Sequence, residues 1–394
     1  MTIKKITRIG ILIGAAMVLG LAGCGDGIAG DSSNKSKEGQ SGPIKLGMLA
    51  PLSGSEAAFG PYLENGAKLA LKEINDAGGV LGRQLELVVE DDACDPTSAA
   101  AGANKLVTQG IIASVGGYCS GATIPTVDIF ADAKIPMVIP AANANDLVGV
   151  SPFTFLINGT GTQQAGTVLT FAKHEGLTKA AVLDDNSAYA KDLANSFSEQ
   201  AKADGGVEIV LQESVNPDES DYSPNVNNVI KSAPDLVFWA GYYQEGGLIT
   251  KQLRAAGYTG KILVGDGSVD AQFAQIAGAD AAKGLLGVFT QTPDMLTGQD
   301  EWLADYEELA GSAPGPYSTQ AYDAVRVVAE AIKKADSTDG DALVKALEEL
   351  DGFELFSGPL KFTSEHTLSS GGFVIVETAD SGEFKLKVNP ATDY

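Results

Sequence analysis

From Ile44 onward, apolar runs alternate with amphipathic stretches along the chain. Residues 44–50 read as a strand, 60–77 as a helix stopped by Gly78-Gly79, and 84–90 as a strand. Residues 96–109 then read as a helix, 113–116 as a strand, 122–133 as a helix and 136–139 as a strand. Such a run of βα units predicts a parallel sheet covered by helices. The rhythm restarts after Asn158-Gly159-Thr160-Gly161, with strands predicted at 180–183, 209–215, 236–239, 262–264 and 285–289. Helices are predicted between them at 164–174, 190–203, 225–231 and 245–256, which gives a second, similar lobe. Two strong helices follow at 318–335 and 340–350. Short apolar alternations at 360–362, 372–377 and 384–388 suggest that the chain returns at its end to finish a sheet begun earlier.

One stretch, VGGYCSGATIPTVDIFADAKIPMVIPAAN at residues 115–143, carries the clearest candidate chemistry. It reads as a strand end, a glycine-rich turn, a helix beginning near Ser120, a second strand, and a small-residue loop of Ala141, Ala142 and Asn143. Both loops then open at the carboxyl edge of a parallel sheet, where backbone N–H groups point outward and small polar ligands bind. The plainer alternative is that Gly116 and Gly117 make a tight turn and Ser120 caps a helix. Asp266, in VGDGS after a predicted strand, would set a carboxylate opposite these donors across a cleft. Donors for a carboxylate and an acid for an ammonium are what a zwitterion needs; alone, Asp266 would be a turn residue. Phe59, Tyr118, Tyr189, Tyr242 and Tyr243 stand near predicted strand ends. One such aromatic is commonly packing, whereas several at one edge favour a ligand.

The amino terminus changes the compartment. Lys4, Lys5 and Arg8 precede an apolar run at 9–19, and Leu21-Ala22-Gly23-Cys24 closes it, so residues 1–23 read as a secretory signal. The ending resembles a lipobox, with Cys24 as the lipid-modified first residue of the mature chain. Residues 24–42 form a polar tether, whose flexible part would span about 23 Å root-mean-square. Cys94 and Cys119 then remain as an even pair in an exported protein, where disulfides persist; two buried thiols are the alternative.

Charge and motif content exclude several classes. The chain holds 27 Lys plus Arg against 51 Asp plus Glu. Without the leader's three cations, 24 stand against 51, a formal charge of −27 that repels nucleic acid. His174 and His366 are the chain's two histidines, and neither is near a plausible nucleophile in sequence. G-x-S-x-G, a Walker A loop and zinc-ligand spacings are absent, so no enzyme, cofactor or metal is expected. The acidic run of Glu90, Asp91, Asp92 and Asp95 lacks the glycine and distal glutamate of a calcium loop and reads as a solvated strand end.

These motifs together resemble the leucine/isoleucine/valine-binding proteins of ATP-driven amino-acid importers. The resemblance covers the body from Ile44 to the last strands, through PLSGSEAAFG, EINDAGGVLGRQLELVVEDDACDP, GGYCSGAT, PAAN and WAGYYQEGG. It implies an α/β type I periplasmic binding protein: two doubly wound parallel-sheet lobes joined by three crossings and closing on the ligand. Lobe 1 would comprise residues 43–159 and 290–362, and lobe 2 residues 160–289 and 363–394. The resemblance also implies a Cys94–Cys119 disulfide. Ser120, Ala141 and Asn143 would anchor the ligand's carboxylate and amino groups, and Phe59 would lie over it. Tyr189 and Tyr242 would be second-lobe contacts and Asp266 the ammonium partner. Family members often carry threonine at the position of Asn143; asparagine is longer, yet also donates and accepts.

The expected function is capture of a branched-chain or other neutral α-amino acid outside the cytoplasm by a lipid-anchored monomer. Delivery would be to the permease and ATPase subunits of an importer. Tyr118, Phe59 and Tyr242 suggest an apolar or mixed side-chain pocket, with room left by Gly121 and Ala142. A sensor or receptor for amides or other small polar molecules on the same fold is the alternative.

Overall fold

The computed structural model describes residues 42–290, 295–296, 298–370 and 372–394. The leader, Cys24 and the tether as far as residue 41 lie outside the described residues. Among the described residues the strands form two large sheets, of five and seven strands, and one separate pair. The first sheet contains β1 (Ile44–Ala50), β2 (Leu85–Asp91), β3 (Ala113–Ser114), β4 (Met137–Ile139) and β5 (Thr154–Leu156), in the order β2-β1-β3-β4-β5. All its pairings are parallel. Its central strands are buried, as expected when helices cover both faces.

The second sheet repeats this plan with β6 (Lys179–Asp184), β7 (Glu208–Ser214), β8 (Leu236–Trp239), β9 (Lys261–Val264) and β10 (Leu286–Thr290). The separate pair is the antiparallel hairpin of β11 (Asp351–Leu355) and β12 (Gly358–Lys361). Then β13 (Phe373–Thr378) and β14 (Phe384–Val388) extend the second sheet, giving β14-β13-β10-β9-β8-β6-β7. These last strands run antiparallel, so the second sheet is mixed at one edge rather than wholly parallel. The chain thus does return to an earlier sheet, but the predicted strand at 360–362 belongs to the hairpin. Helix Ser318–Ala335 packs along helix Gly60–Asp76, so a late segment covers the first sheet.

Local chemistry accounts for the other departures. The helix predicted at 122–133 is broken into Ser120–Thr123, the 3₁₀ turn Ile124–Thr126 and Val127–Asp132. Pro125 has no N–H to continue the ladder. The acidic run after β2 serves as turn and cap acceptors. Asp91 Oδ1 accepts from the N–H groups of Leu52, Ser53 and Ala93, and Asp95 caps the helix Pro96–Thr108 through Ser98 N–H. Asp92, expected to be solvated, is 1% exposed and accepts from Cys94 N–H at 2.8 Å. Among the described residues no helix is long and apolar enough to cross a membrane.

Candidate functional site

In both sheets the strand order reverses between the first and third strands, at β1/β3 and at β6/β8. Ligands of open α/β sheets bind outside the carboxyl ends of the strands at such points. The loop after β1 carries Glu56 and Phe59, the loop after β3 carries Tyr118 and Ser120, and the loop after β4 carries Ala141 to Asn143. From the second sheet, Asp185 and Tyr189 follow β6, Tyr242 follows β8 and Asp266 follows β9. The two sets of loops meet. Asn143 Nδ2 donates to Asp266 Oδ2 at 2.8 Å, and Tyr243 O–H and Gln244 Nε2 both donate to Ser55 O, at 2.9 and 2.6 Å.

The glycine-rich turn has a steric cause. A Cβ on Gly116 would lie 2.4 Å from the backbone N and O of Leu49, so only glycine lets the chain run this close to β1. The Cys94–Cys119 disulfide then ties the turn to the loop after β2. Ser120 is fully buried, and its Oγ accepts from Asn143 N–H at 3.3 Å and Ala144 N–H at 3.2 Å. A hydroxyl that accepts twice keeps its proton to donate. Asn158 Nδ2 fixes the neighbouring loop by donating to Ala141 O at 2.9 Å.

Asp266 is 1% exposed. Its Oδ1 accepts from Tyr189 O–H at 2.6 Å and Gly267 N–H at 3.1 Å, and its Oδ2 from Tyr317 O–H at 2.7 Å as well as from Asn143. Burial pushes this carboxyl up, and the bonds from Tyr189 and Tyr317 pull it back down. All four donors are neutral, so an ionised Asp266 has no counter-charge among its hydrogen-bond partners. Burial likewise raises the phenols of Tyr118, Tyr189, Tyr242 and Tyr317, which stay protonated donors. A Cβ on Gly267 would come within 3.0 Å of the Tyr189 and Tyr242 rings, so its absence lets the Asp266 turn nestle between them.

Tyr118, Ala141, Asn143, Tyr189, Tyr242, Asp266, Gly267 and Tyr317 line a narrow gap of about 10 Å³. Six of the nine residues expected at the site line it. Phe59, Ser120 and Ala142 stand one layer back: Phe59 stacks on Tyr118 with centroids 4.6 Å apart, and Ala142 N–H donates to Gly117 O. Tyr317 went unread in the sequence, although it follows Pro314-Gly315-Pro316 and precedes a strong helix. Its backbone is left-handed, with φ of 65°, which swings the ring from that turn toward Asp266. Glu56, 2% exposed, went unread as well. His366 stacks on Phe155 and pairs with Glu348, and His174 stacks on Tyr394, so neither imidazole serves the gap. The arrangement offers hydrogen-bond donors and the Asp266 carboxyl to a bound molecule.

Comparison with known proteins agrees with the class that this fold and cleft define. The family described as periplasmic binding protein matches residues 43–383. Leu/Ile/Val-binding protein BraC3 of Rhizobium johnstonii is 34% identical over 334 residues, covering 84% of this chain and 90% of the relative. The leucine-, isoleucine-, valine-, threonine- and alanine-binding protein of Pseudomonas aeruginosa is 32% identical, over 85% and 89%. Among solved structures, the branched-chain amino acid transporter substrate-binding protein LivJ of Streptococcus pneumoniae, in complex with isoleucine, superposes with a TM-score of 0.79. It is 29% identical and covers 88% of this chain and 99% of its own. The chain belongs to the Leu/Ile/Val-binding protein family, with the type I periplasmic binding protein fold. It is accordingly an extracytoplasmic binding protein rather than an enzyme.

Proposed function

We propose that this protein captures a neutral α-amino acid, branched-chain ones included, between two lobes and delivers it to the permease and ATPase subunits of an importer. Lobe 1 is residues 43–159 and 290–362, and lobe 2 residues 160–289 and 363–394. Ser120, the backbone of Ala141 and Asn143 hold the carboxylate. Asp266, braced by Tyr189 and Tyr317, takes the ammonium, while Phe59, Tyr118, Ala142 and Tyr242 shape the side-chain end. The observation that carries this reading is the buried Asp266 on one sheet facing the Ser120 and Asn143 loops of the other, with only neutral donors around it. The names of the relatives support the ligand class.

Calorimetry and thermal shift with a panel of amino acids, simple amides and urea test it. A ligand at 100 times its dissociation constant adds about 2.7 kcal/mol of stability. Stabilisation by α-amino acids and not by their amides or decarboxylated amines is expected; the reverse pattern would overturn the reading. Lipid on Cys24 holds the protein at the membrane as a monomer, a reading supported by the lipobox and the tether. Cys24→Ala should therefore move it to the soluble fraction with ligand affinity kept, and retention of the variant in membranes would refute the anchor.

A further inference from the structure

Side chains of the protein itself bridge the cleft between the two sheets. Asn143 Nδ2 donates to Asp266 Oδ2 at 2.8 Å. Asn145 donates to Asp192, on helix Ala188–Asp204, through its N–H at 3.1 Å and its Nδ2 at 3.0 Å. Tyr243 and Gln244 reach back to Ser55 O from the second sheet. With these bonds made, the gap of about 10 Å³ has room for about one water and none for an amino acid. An ionised carboxylate has about four acceptor sites, and Asp266 fills them with Tyr189, Gly267, Tyr317 and Asn143. A ligand ammonium therefore reaches this acid only by displacing one of these donors.

All but one are held by more than their bond to the acid. Gly267 N–H belongs to the backbone beside the carboxyl and also donates to Tyr189 O–H at 3.1 Å, which ties those two together. The Tyr317 ring packs edge-on against Tyr118 and Phe289, with centroids 5.6 and 5.1 Å apart. Asn143 differs, because Asp266 is its side chain's one hydrogen-bond partner among the described residues. Its backbone is held without the amide: the N–H donates to Ser120 Oγ, and the carbonyl accepts from Gly161 N–H at 2.8 Å. We propose that the Asn143 amide is an internal competitor for the ligand's ammonium: it holds Asp266 across the cleft, and binding swings it out. The inference rests on the α-amino-acid reading above and adds that Asn143 limits affinity. The exchange favours a cation, since a charge-assisted hydrogen bond is roughly twice as strong as a neutral one. A neutral ligand amide would replace one neutral donor with another.

A thermal-shift screen of the standard amino acids and acetamide selects the amino acid that stabilises wild type most. Calorimetry on the mature chain then measures its binding to wild type, Asn143→Ala and Asn143→Leu. Both variants lose the amide and keep the backbone bonds; Asn143→Leu also keeps the bulk, which separates loss of the bond from added room. Each should bind that amino acid about tenfold tighter than wild type does. Unchanged or weaker binding in either variant overturns the inference and leaves the α-amino-acid reading standing: the side chain then holds the ligand or, where Asn143→Ala alone gains, merely takes up room. Acetamide stabilising wild type as strongly as the best amino acid, or no stabilisation by any amino acid, overturns that reading and the inference with it.

Discussion

Asp266 draws four hydrogen bonds from four stretches of chain, and none of their donors carries a charge. A ligand ammonium would be the missing counter-charge, so Asp266→Asn should leave that cation buried and alone. Breaking a buried ion pair by removing one partner costs about 3–5 kcal/mol, and affinity should fall roughly 10²- to 10³-fold or more. Calorimetry with the best ligand of the panel checks this, and a loss of less than about threefold would take Asp266 out of the site. The acid stood out in the sequence because VGDGS follows a predicted strand, where it reads either as a turn residue or as a ligand acid. Tyr317 did not, since its importance depends on where distant backbone delivers it. Tyr317 enters from a turn more than fifty residues beyond Asp266, and no local pattern encodes that meeting.

At the level of elements, strands and helices with strong periodicity were readable, and those shaped by one residue or by long-range pairing were not. Pro125 splits a helix that its apolar spacing predicts as continuous. Strand β5 and helix Asp300–Ala310 lie outside the predicted elements. At three residues, β5 is too short to display an alternation, and its place is set by pairing with β4. The turn at Gly116 is the opposite case. Its glycine answers a clash with Leu49, its disulfide fixes it to the loop after β2, and Ser120 stitches it to Asn143. Loop and scaffold here share one framework, which holds the donors in place.

Across the whole molecule, the burial of acids sets the response to pH. Asp92 is pushed up to about 6 by burial, against a hydrogen bond from Cys94 N–H. Asp323 is pushed up to about 6 by burial, against the Arg326 charge beside it. Burial also raises Asp185, Asp266 and Asp270. For each, the folded chain holds its proton more tightly than the unfolded chain. Their stabilising effect is therefore complete below the unfolded value near 3.8 and is lost as pH rises through the folded value near 6. Asp91 and Asp235 are lowered by the hydrogen bonds they accept, so they act the other way, but only as pH falls below about 4. Between pH 7.5 and pH 5 the first two acids should thus add about 1.4 kcal/mol each, raising Tm by roughly 3–6 °C. Surface carboxylates stay ionised at pH 5, so relief of general repulsion contributes little. Added salt separates the two causes: at 1 M the Debye length is about 3 Å, and a pH slope set by buried acids persists where one set by surface charge collapses. Asp92→Asn keeps an acceptor for Cys94 N–H and should flatten part of the slope. A Tm that is level or rises from pH 5 to pH 7.5, measured by calorimetry without ligand, would show that these acids do not control the folded state.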